Sequence, residues 1–404
     1  DRYATVFLPL TIILALAAWA VSGKPDRALA VLVVATPCPL ILAAPIAFIA
    51  GISLAASRGV VVKGGAALEQ LGSAVVALFD KTGTLTAGTP RLASIELFAE
   101  VPPADLLHWA ACLDQVSGHV LAAPIVAEAR DRGAGLEFPE SVTEVPGAGI
   151  EGIVGGHTIR VGKATYAASG HDLDRALRFR ETVAEKGLLN VFVSIDGRLA
   201  GALVFDDPIR PDTPDAIAAL RAAGIRRIVL VTGDQPVVAA RVGAAIGADE
   251  VLADHRPEDK LLAVRKEARY GTVLMVGDGI NDAPALAAAD VGVAMGARGA
   301  TASSEAADVV LLVDRIDRLA DAMHYARHAR AIATQSIVAG MGLSVAGMLL
   351  ATAGLVVPAV GAIYQEVIDV LVILNALRAL NPPARTGPAR IGTEGSLKAA
   401  GPLP

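Results

Sequence analysis

Three apolar runs of this sequence end in an aspartate with a glycine within three residues. They are AVVALFDKTG with Asp80, IRRIVLVTGD with Asp234, and GTVLMVGDG with Asp278. Continuous apolar runs are typical of parallel strands that are buried on both faces. Because parallel sheets bind ligands at the carboxyl ends of their strands, the three aspartates are predicted to meet at one edge of an α/β sheet.

The segment DKTGTLT, residues 80–86, is the most specific of these stretches. An aspartate at a strand end can attack a phosphoryl group while N–H groups of a loop rich in Gly and Thr hold the phosphoryl oxygens. Thr232 offers a hydroxyl to phosphate, Lys260 offers a cation, and the carboxylates of GDGINDAPAL could hold Mg²⁺, as phosphoryl transfer requires. The candidate catalytic residues are Asp80, Lys81, Thr82, Thr232, Gly233, Asp234, Lys260, Asp278, Asn281 and Asp282.

A second group of reactive side chains lies in stretches that are apolar enough to cross a membrane. Cys38 stands between Pro37 and Pro39 in VLVVATPCPLILAAP. Proline removes a backbone donor and kinks a helix, and a bilayer tolerates the freed carbonyl groups only beside a cavity or a ligand. Cys38 would supply a soft metal ligand at this kink, unless the kink serves packing and the thiol is a small apolar group.

The last apolar stretch, YQEVIDVLVILNALRAL, holds Gln365, Glu366 and Asp369. Spacings of three and four residues are predicted to place all three on one face of a helix. Carboxylates inside a membrane are expensive and usually mark an ion path, although the same residues could lie at the membrane surface. A thiolate with carboxylate and amide oxygens is a mixed ligand set, which favours Ni²⁺, Fe²⁺, Co²⁺ or Zn²⁺ over Cu⁺ or Mg²⁺.

The elements that must position these residues divide between membrane and globular parts. The chain has 404 residues, of which 53% are hydrophobic, and a mean hydropathy of +0.53. A bilayer span needs about 20 mostly apolar residues, and residues 4–21, 28–56, 337–355 and 356–377 meet that need. The net charge of −6 argues against a nucleic-acid partner, and two distant cysteines argue against a disulfide framework.

The predicted fold combines four membrane helices with an α/β domain into which an α+β domain is inserted. Lysines and arginines beside the last three apolar stretches place the globular part in the cytoplasm. The insertion has strand patterns separated by glycine turns, and the Pro/Gly-rich tail is expected to be disordered. The predicted boundaries are 1–72 and 323–381 for the membrane helices, 73–91 and 206–322 for the α/β phosphorylation domain, 92–205 for the insertion, and 382–404 for the tail.

The order of DKTGT, TGD and GDGINDAPAL resembles that of the P-type ATPases, within the haloacid-dehalogenase-like superfamily. The resemblance implies a Rossmannoid domain in which ATP phosphorylates Asp80, and a Mg²⁺ site formed by Asp80, Thr82 and Asp278. Superfamily phosphatases commonly carry an acid two residues after the nucleophile, to protonate the leaving group and activate water. Thr82 cannot do this, so the phosphoenzyme is expected to persist, and a membrane-tethered phosphatase is the weaker alternative.

The insertion resembles the nucleotide-binding domain of the heavy-metal-transporting branch of this family, which supports adenine with a His-Pro pair and a GxG motif. Val120 replaces the proline of that pair, which leaves the nucleotide affinity open but not the assignment of the domain. The resemblance assigns nucleotide binding to Asp114, Ser117, His119, Gly147, Gly149 and Gly162.

TPCP together with QExxD resembles the subgroup of heavy-metal ATPases associated with nickel and iron(II). The expected function is export of a divalent ion of the Ni²⁺, Fe²⁺ or Co²⁺ class through a multi-pass cell-membrane protein, with ATP and Mg²⁺ as cofactors. Export of Zn²⁺, Cd²⁺ or Cu⁺ is the alternative within the family, and Cys38 disfavours a pump for potassium. The sequence has no TGE motif, so an actuator domain and earlier membrane helices are expected in a missing N-terminal region, which makes this chain a partial pump.

Overall fold

The computed structural model describes residues 2–36, 38–86, 88, 90–278, 282–295 and 305–381. Asn281 and the predicted tail, 382–404, lie outside them. The described chain forms two separate β-sheets with their flanking helices and a group of long apolar helices.

A seven-stranded sheet carries the ends of the three apolar runs. Its strand order is β1-β13-β12-β11-β2-β9-β10, and all neighbours are parallel except β1 and β13. Every residue of β2, β11 and β12 is buried, as the continuous apolar runs predict. The strands are β1 (Val60–Val62), β2 (Val76–Asp80), β9 (Arg227–Val231), β10 (Glu250–Leu252), β11 (Val273–Gly277), β12 (Val291–Met295) and β13 (Val309–Leu311).

Helices pack against this sheet and begin close to the carboxyl ends of its strands. Four of them, α9 to α12, have a proline in the first turn, where its missing N–H removes no helical hydrogen bond. The prolines therefore fix where each helix starts, next to the candidate catalytic residues. The helices are α4 (Gly65–Ser73), α9 (Thr213–Ala222), α10 (Pro236–Ile246), α11 (Pro257–Glu267) and α12 (Ala283–Ala288).

An antiparallel unit is inserted between β2 and α9. Its six strands run in the order β3-β8-β7-β6-β5-β4, and its helices pack against them around a core separate from that of the first sheet. The strands are β3 (Arg91–Leu97), β4 (Ser141–Val145), β5 (Gly149–Val154), β6 (His157–Gly162), β7 (Leu189–Ile195) and β8 (Arg198–Asp206). The helices are α5 (Pro103–Asp114), α6 (Ala122–Asp131), α7 (Ala164–Ala167) and α8 (Gly170–Glu185).

Five further helices carry the chain's long apolar stretches. They are α1 (Arg2–Ser22), α2 (Pro25–Val34), α3 (Cys38–Ala56), α13 (Asp317–Thr352) and α14 (Pro358–Leu377). Among the described residues, only two stretches are long and apolar enough to cross a membrane, Asp317–Thr352 and Pro358–Leu380. The prediction of four spans is therefore not confirmed for the N-terminal pair, where the apolar helical stretches Phe7–Ser22 and Ile41–Ala56 are shorter.

The predicted second span, 28–56, is two helices rather than one. Helix α2 ends at Val34, and α3 begins at Cys38. A residue that precedes a proline disfavours the helical conformation, and the sequence carries prolines at positions 37 and 39. The break therefore places Thr36 and Cys38 at two helix ends, beside α14.

Helix α13 joins the α/β sheet to the apolar helices without interruption. It has 36 residues, so it is about 54 Å long at a rise of about 1.5 Å per residue. Its N-terminal half packs so closely on α4 that a Cβ at Gly72 would lie 3.1 Å from the carbonyl carbon of Ala326. The predicted third span, 337–355, is the C-terminal half of this helix.

Candidate phosphoryl-transfer site and candidate ion site

Asp80 is the last residue of the central strand β2. Parallel pairing aligns Asp80 with Val231 of β9, and Phe79 with Val276 of β11. The residues that follow β9 and β11, Thr232 and Asp278, therefore emerge at the same edge as Asp80. The three sequence motifs therefore meet at one edge of the sheet, as expected for the ends of parallel strands. The side chains of Asp80 and Thr232 are buried there.

Lys260 of α11 joins two carboxylates of this edge. Its Nζ atom lies 2.6 Å from Oδ1 of Asp80 and 2.7 Å from Oδ1 of Asp282, and all three side chains are buried. Burial lowers the pKa of Lys260, but attraction by Asp80 and Asp282 outweighs it and raises the pKa above its ordinary value. The lysine is therefore charged at neutral pH and neutralises part of the carboxylate charge.

The environment of Asp80 raises the pKa of its carboxyl group from 3.8 to about 6. Burial is the largest cause, followed by repulsion from Asp282, and Lys260 opposes both. A group with that pKa is mainly ionised at pH 7, as a nucleophile must be. The site therefore holds an ionised but destabilised carboxylate.

The loop after Asp80 turns back on itself. The N–H of Thr86 donates to the carbonyl of Lys81 at 3.1 Å, and the N–H of Gly83 donates to Oγ1 of Thr86 at 3.1 Å. Gly83 has a φ of +70°, and a Cβ there would lie 3.0 Å from Oδ2 of Asp278. Glycine is therefore required both for the backbone conformation and for the approach of Asp278. Lys81 forms an ion pair with Asp234.

The donor set at this edge fits Mg²⁺. Asp278 is close enough to Asp80 to raise its pKa, and Oδ2 of Asp282 is buried without a hydrogen-bond partner among the described residues. No group of three or more His, Cys, Asp or Glu side chains in the described chain is arranged as a complete metal site. Mg²⁺ usually takes one or two carboxylates and completes its shell with phosphate and water, so a partial set is sufficient. Thr82 is exposed beside the nucleophile.

Thr232 and Gly233 begin the loop that follows β9. Oγ1 of Thr232 accepts a hydrogen bond from the N–H of Asp234 at 3.2 Å, which holds this hydroxyl at the edge of the sheet. At Gly233 a Cβ would meet only the carbonyl oxygen of His255, at 3.4 Å. Gly233 is exposed, so the backbone of this loop is accessible from solvent.

Two residues that the sequence analysis missed join the segments connecting the two sheets. Arg210 donates from Nε to the carbonyls of Thr84 and Thr86, at 3.2 and 3.0 Å, and from a terminal nitrogen to the carbonyl of Asp314 at 2.9 Å. Burial raises the pKa of Asp207, although the hydroxyl of Thr86 opposes this by donating to its carboxyl group. The Asp-Pro pair at 207–208 was the available signal, because such pairs favour turns.

In the inserted unit, Asp114 and Ser117 lie together at the end of α5. Oγ of Ser117 donates to Oε1 of Glu144 at 3.1 Å. Burial, and then repulsion from Glu144, raise the pKa of Asp114 to about 7. A cavity of about 370 Å³ opens beside them, and it is lined by Asp114, Gln115, Ser117, Ala123, Val126, Ala127, Arg130 and Phe138.

The remaining candidate nucleotide-binding residues, His119 and the three glycines, differ in exposure and in packing. The exposed His119 accepts a hydrogen bond at Nδ1 from the N–H of Leu121 at 3.2 Å. Gly149 and Gly162 are cross-strand partners, and a Cβ on Gly149 would lie 2.4 Å from the carbonyl oxygen of Val161. These two glycines are thus required by the sheet itself, whereas a Cβ at Gly147 would meet no atom within 4 Å.

The broken helix and α14 meet at a cluster of polar side chains. The thiol of Cys38 lies close to the side chains of Thr36 and Asp369. Nε2 of Gln365 donates to Oδ1 of Asp369 at 3.1 Å and to the carbonyl of Thr36 at 3.4 Å. A thiol, a carboxylate, a backbone carbonyl and the nitrogen of an amide therefore converge here, and the first three form a mixed set of sulfur and oxygen donors.

Glu366 occupies a different position. It is exposed and borders an apolar surface cavity, which is lined by Ala362, Ile363, Glu366, Val367, Val370 and Leu371. The single helical face predicted for three polar residues is therefore shared by Gln365 and Asp369, since one turn of about 3.6 residues brings positions i and i+4 together. Glu366 is still close enough to act on Cys38 through its charge.

Comparison with known proteins gives related sequences and folds. Residues 75–290 match the haloacid dehalogenase-like hydrolase family. The manganese-exporting P-type ATPase of Mycobacterium tuberculosis (strain ATCC 25618 / H37Rv) is 35% identical over 384 residues, which are 94% of this chain and 54% of that protein. The copper-exporting P-type ATPase of the same strain is 36% identical over 390 residues, 94% of this chain and 50% of that protein.

A solved structure shares most of the fold. It is a zinc-transporting PIB-type ATPase in the E2.Pi state, with a TM-score of 0.80 and 33% identity over 94% of this chain and 64% of that chain. The present chain spans about half the length of the two curated relatives.

Proposed function

Because this chain belongs to the haloacid dehalogenase-like hydrolases and, within them, to the heavy-metal P-type ATPases, we propose that it is the catalytic and C-terminal membrane part of a metal-exporting pump. The observation that carries the proposal is the contact of Lys260 with Asp80 and Asp282 at the end of the central strand. It neutralises a buried nucleophile without blocking both of its oxygens. We assign the phosphoryl-accepting role to Asp80.

In the proposed reaction, the ionised carboxylate of Asp80 attacks the terminal phosphoryl group of ATP and ADP leaves. Lys260 holds Oδ1 of Asp80, so attack is assigned to Oδ2. Mg²⁺ bound near Asp278 would offset phosphoryl charge. Thr82 has no acidic group for activating water, so the aspartyl phosphate persists until another part of the pump hydrolyses it.

The inserted unit is proposed to deliver ATP to Asp80. Its cavity combines an apolar wall with Asp114, Ser117 and Arg130, and such a mixture is typical of small-molecule sites. The segments that connect this unit to the sheet are joined through Arg210 and the carbonyls of Thr84 and Thr86. Through these contacts, nucleotide binding is coupled to the loop that carries the nucleophile.

The transported ion is proposed to bind between Cys38, Gln365 and Asp369, with Glu366 nearby, and to leave the cytoplasm through a multi-pass membrane domain. The mixed donors favour Ni²⁺, Fe²⁺ or Co²⁺, with Zn²⁺ next. Mn²⁺ prefers oxygen donors and Cu⁺ prefers sulfur donors, so both suit this set less well. The remaining partners are lipid and the rest of the same protein, which would supply an actuator domain.

The test is ATP hydrolysis by the natural full-length protein in detergent, measured with Ni²⁺, Fe²⁺ without oxygen, Co²⁺, Zn²⁺, Mn²⁺ and Cu⁺. Stimulation by Ni²⁺, Fe²⁺ or Co²⁺ that is lost in Cys38→Ala and Asp369→Ala is expected. Cys112→Ala is the matched control, because Cys112 is buried in the inserted unit. Stimulation by Mn²⁺ or Cu⁺ alone would overturn the ion assignment, and hydrolysis without metal stimulation would favour a tethered phosphatase.

A further inference from the structure

Both polar atoms of the Gln365 side-chain amide are hydrogen-bonded. Gln365 is buried, and its Nε2 atom donates to Asp369 and to the carbonyl of Thr36. Its Oε1 atom accepts a hydrogen bond from Oγ of Ser344 at 3.3 Å. Ser344 lies on α13 and is also buried. The reverse orientation would place Oε1 against two acceptor oxygens, so the contacts of the cluster select this one.

This orientation is incompatible with a bound cation. A metal ion held by Cys38 and Asp369 would face the N–H hydrogens of Nε2, whereas only the oxygen of an amide can coordinate it. In this orientation the amide supplies partial positive charge to the Asp369 carboxylate and to the carbonyl of Thr36, as a bound cation would.

We propose that Gln365 rotates its amide by about half a turn when the transported ion enters, and that Ser344 is the positioning residue for this rotation. The proposal rests on the ion site of the proposed function. After rotation, Oε1 faces the ion and Nε2 faces Ser344. A hydroxyl can donate to Oε1 in the first state and accept from Nε2 in the second, so it satisfies the amide in both.

Loss of the Ser344 hydroxyl should destabilise the ion-bound orientation of the Gln365 amide more than the ion-free orientation. Without it, the ion-free state leaves only Oε1 without a partner, because Nε2 keeps Asp369 and Thr36. The ion-bound state leaves Nε2 without a partner, and an unpaired buried N–H group is less tolerated than an under-satisfied carbonyl. Ser344→Ala should therefore weaken ion binding, whereas Ser344→Thr keeps a hydroxyl and should restore it.

The experiment is a titration of the detergent-purified chain with Co²⁺, followed through the sulfur-to-cobalt charge-transfer band of Cys38. The control is Ser336→Ala, because Ser336 is an equally buried serine of α13 whose hydroxyl accepts from Nδ2 of Asn375 at 2.8 Å. We expect about tenfold weaker Co²⁺ binding for Ser344→Ala than for Ser336→Ala, in line with the loss of one buried hydrogen bond. Ser344→Thr should bind within about twofold of the wild type by the same argument.

Equal dissociation constants for Ser344→Ala and Ser336→Ala would overturn the rotation while leaving the ion site in place. Equal weakening by Ser344→Ala and Ser344→Thr would also overturn it, because it would indicate packing rather than hydrogen bonding. A wild-type chain that shows no Cys38-dependent band with Co²⁺ would overturn the ion site of the proposed function together with the rotation.

Discussion

The Nζ atom of Lys260 lies 2.6 Å from Oδ1 of Asp80, across 180 residues of sequence. The same nitrogen also contacts Asp282, so one buried cation is shared by two buried carboxylates. Removal of one partner of a buried ion pair leaves an uncompensated charge and costs about 3–5 kcal/mol. The lysine is thus required for stability and for keeping Asp80 ionised.

Lys260→Met should abolish phosphorylation of Asp80 and destabilise the chain by about 3 kcal/mol or more, as expected for a broken buried pair. The measurements are phosphoenzyme formation from γ-labelled ATP and denaturant unfolding. Lys266→Met is the control, because Lys266 lies on the same helix in a partly exposed pair with Glu250 and such pairs contribute little. A phosphoenzyme level in Lys260→Met equal to that of the control would contradict the assignment.

Phosphorylation should depend on pH through Asp80. Its pKa is about 6 in the folded protein, against an ordinary value of 3.8, so the rate should fall as the pH drops through about 6. The folded state holds this proton more tightly than the unfolded state. Ionised Asp80 therefore favours unfolding above pH 6, and this effect disappears as the pH falls from about 6 toward 3.8.

Asp80→Asn should accordingly raise the melting temperature at pH 8 more than at pH 5. Thermal unfolding of the two chains at both pH values is the measurement. A difference in melting temperature that does not change with pH would mean that repulsion and burial do not act on Asp80 as the geometry indicates.

The phosphoryl-transfer edge could be predicted from sequence because it depends on strand ends. Asp80, Thr232 and Asp278 each follow a continuous apolar run, and parallel strands bring such ends together. The contact between Gln365 and Asp369 was predictable for a similar reason, since it needs only the helical spacing of four residues. Both are consequences of local periodicity.

Other features depend on how distant segments pack, which periodicity does not encode. Arg210 contacts three carbonyls from two segments, and the turn signal of the Asp-Pro pair at 207–208 does not identify these partners. The exposure of Glu366 depends on where α2 and α3 pack against α14. The interruption between Val34 and Cys38 turned a predicted span into two shorter helices, although the prolines had indicated a kink.

Asp114 should make nucleotide binding depend on pH. Burial raises its pKa to about 7, so a neutral carboxyl group that can donate a hydrogen bond becomes a carboxylate that cannot. We expect the ATP affinity to fall between pH 6 and pH 8, and Asp114→Asn to remove most of that change. Binding of a fluorescent ATP analogue is the measurement, with Asp105→Asn, an exposed change in the first turn of the same helix, as the control.

Gly149 and Gly147 of the inserted unit should differ in how much an alanine substitution destabilises the fold. Gly149→Ala places a Cβ 2.4 Å from a backbone oxygen, and overpacking of this kind typically destabilises by about 1–3 kcal/mol. Gly147→Ala meets no atom within 4 Å and has only its φ of +75° to strain it, at about 1–2 kcal/mol. If unfolding shows Gly147→Ala to be the more destabilised variant, the close approach of β5 and β6 is not as described.

The packing of the apolar helices should depend on Gly347. A Cβ at this position would lie 2.5 Å from Cε1 of Tyr364 on α14 and 2.7 Å from Cγ1 of Val34 on α2, so alanine would force both helices away from α13. Val34 is the last residue before the break that leads to Cys38, and the ligands of the ion site would move apart. Gly347→Ala should therefore weaken Co²⁺ binding, whereas Gly342→Ala on the same helix, with no atom within 4 Å of the added Cβ, should not. Equal Co²⁺ affinities in the two variants would show that the ion site tolerates separation of these helices.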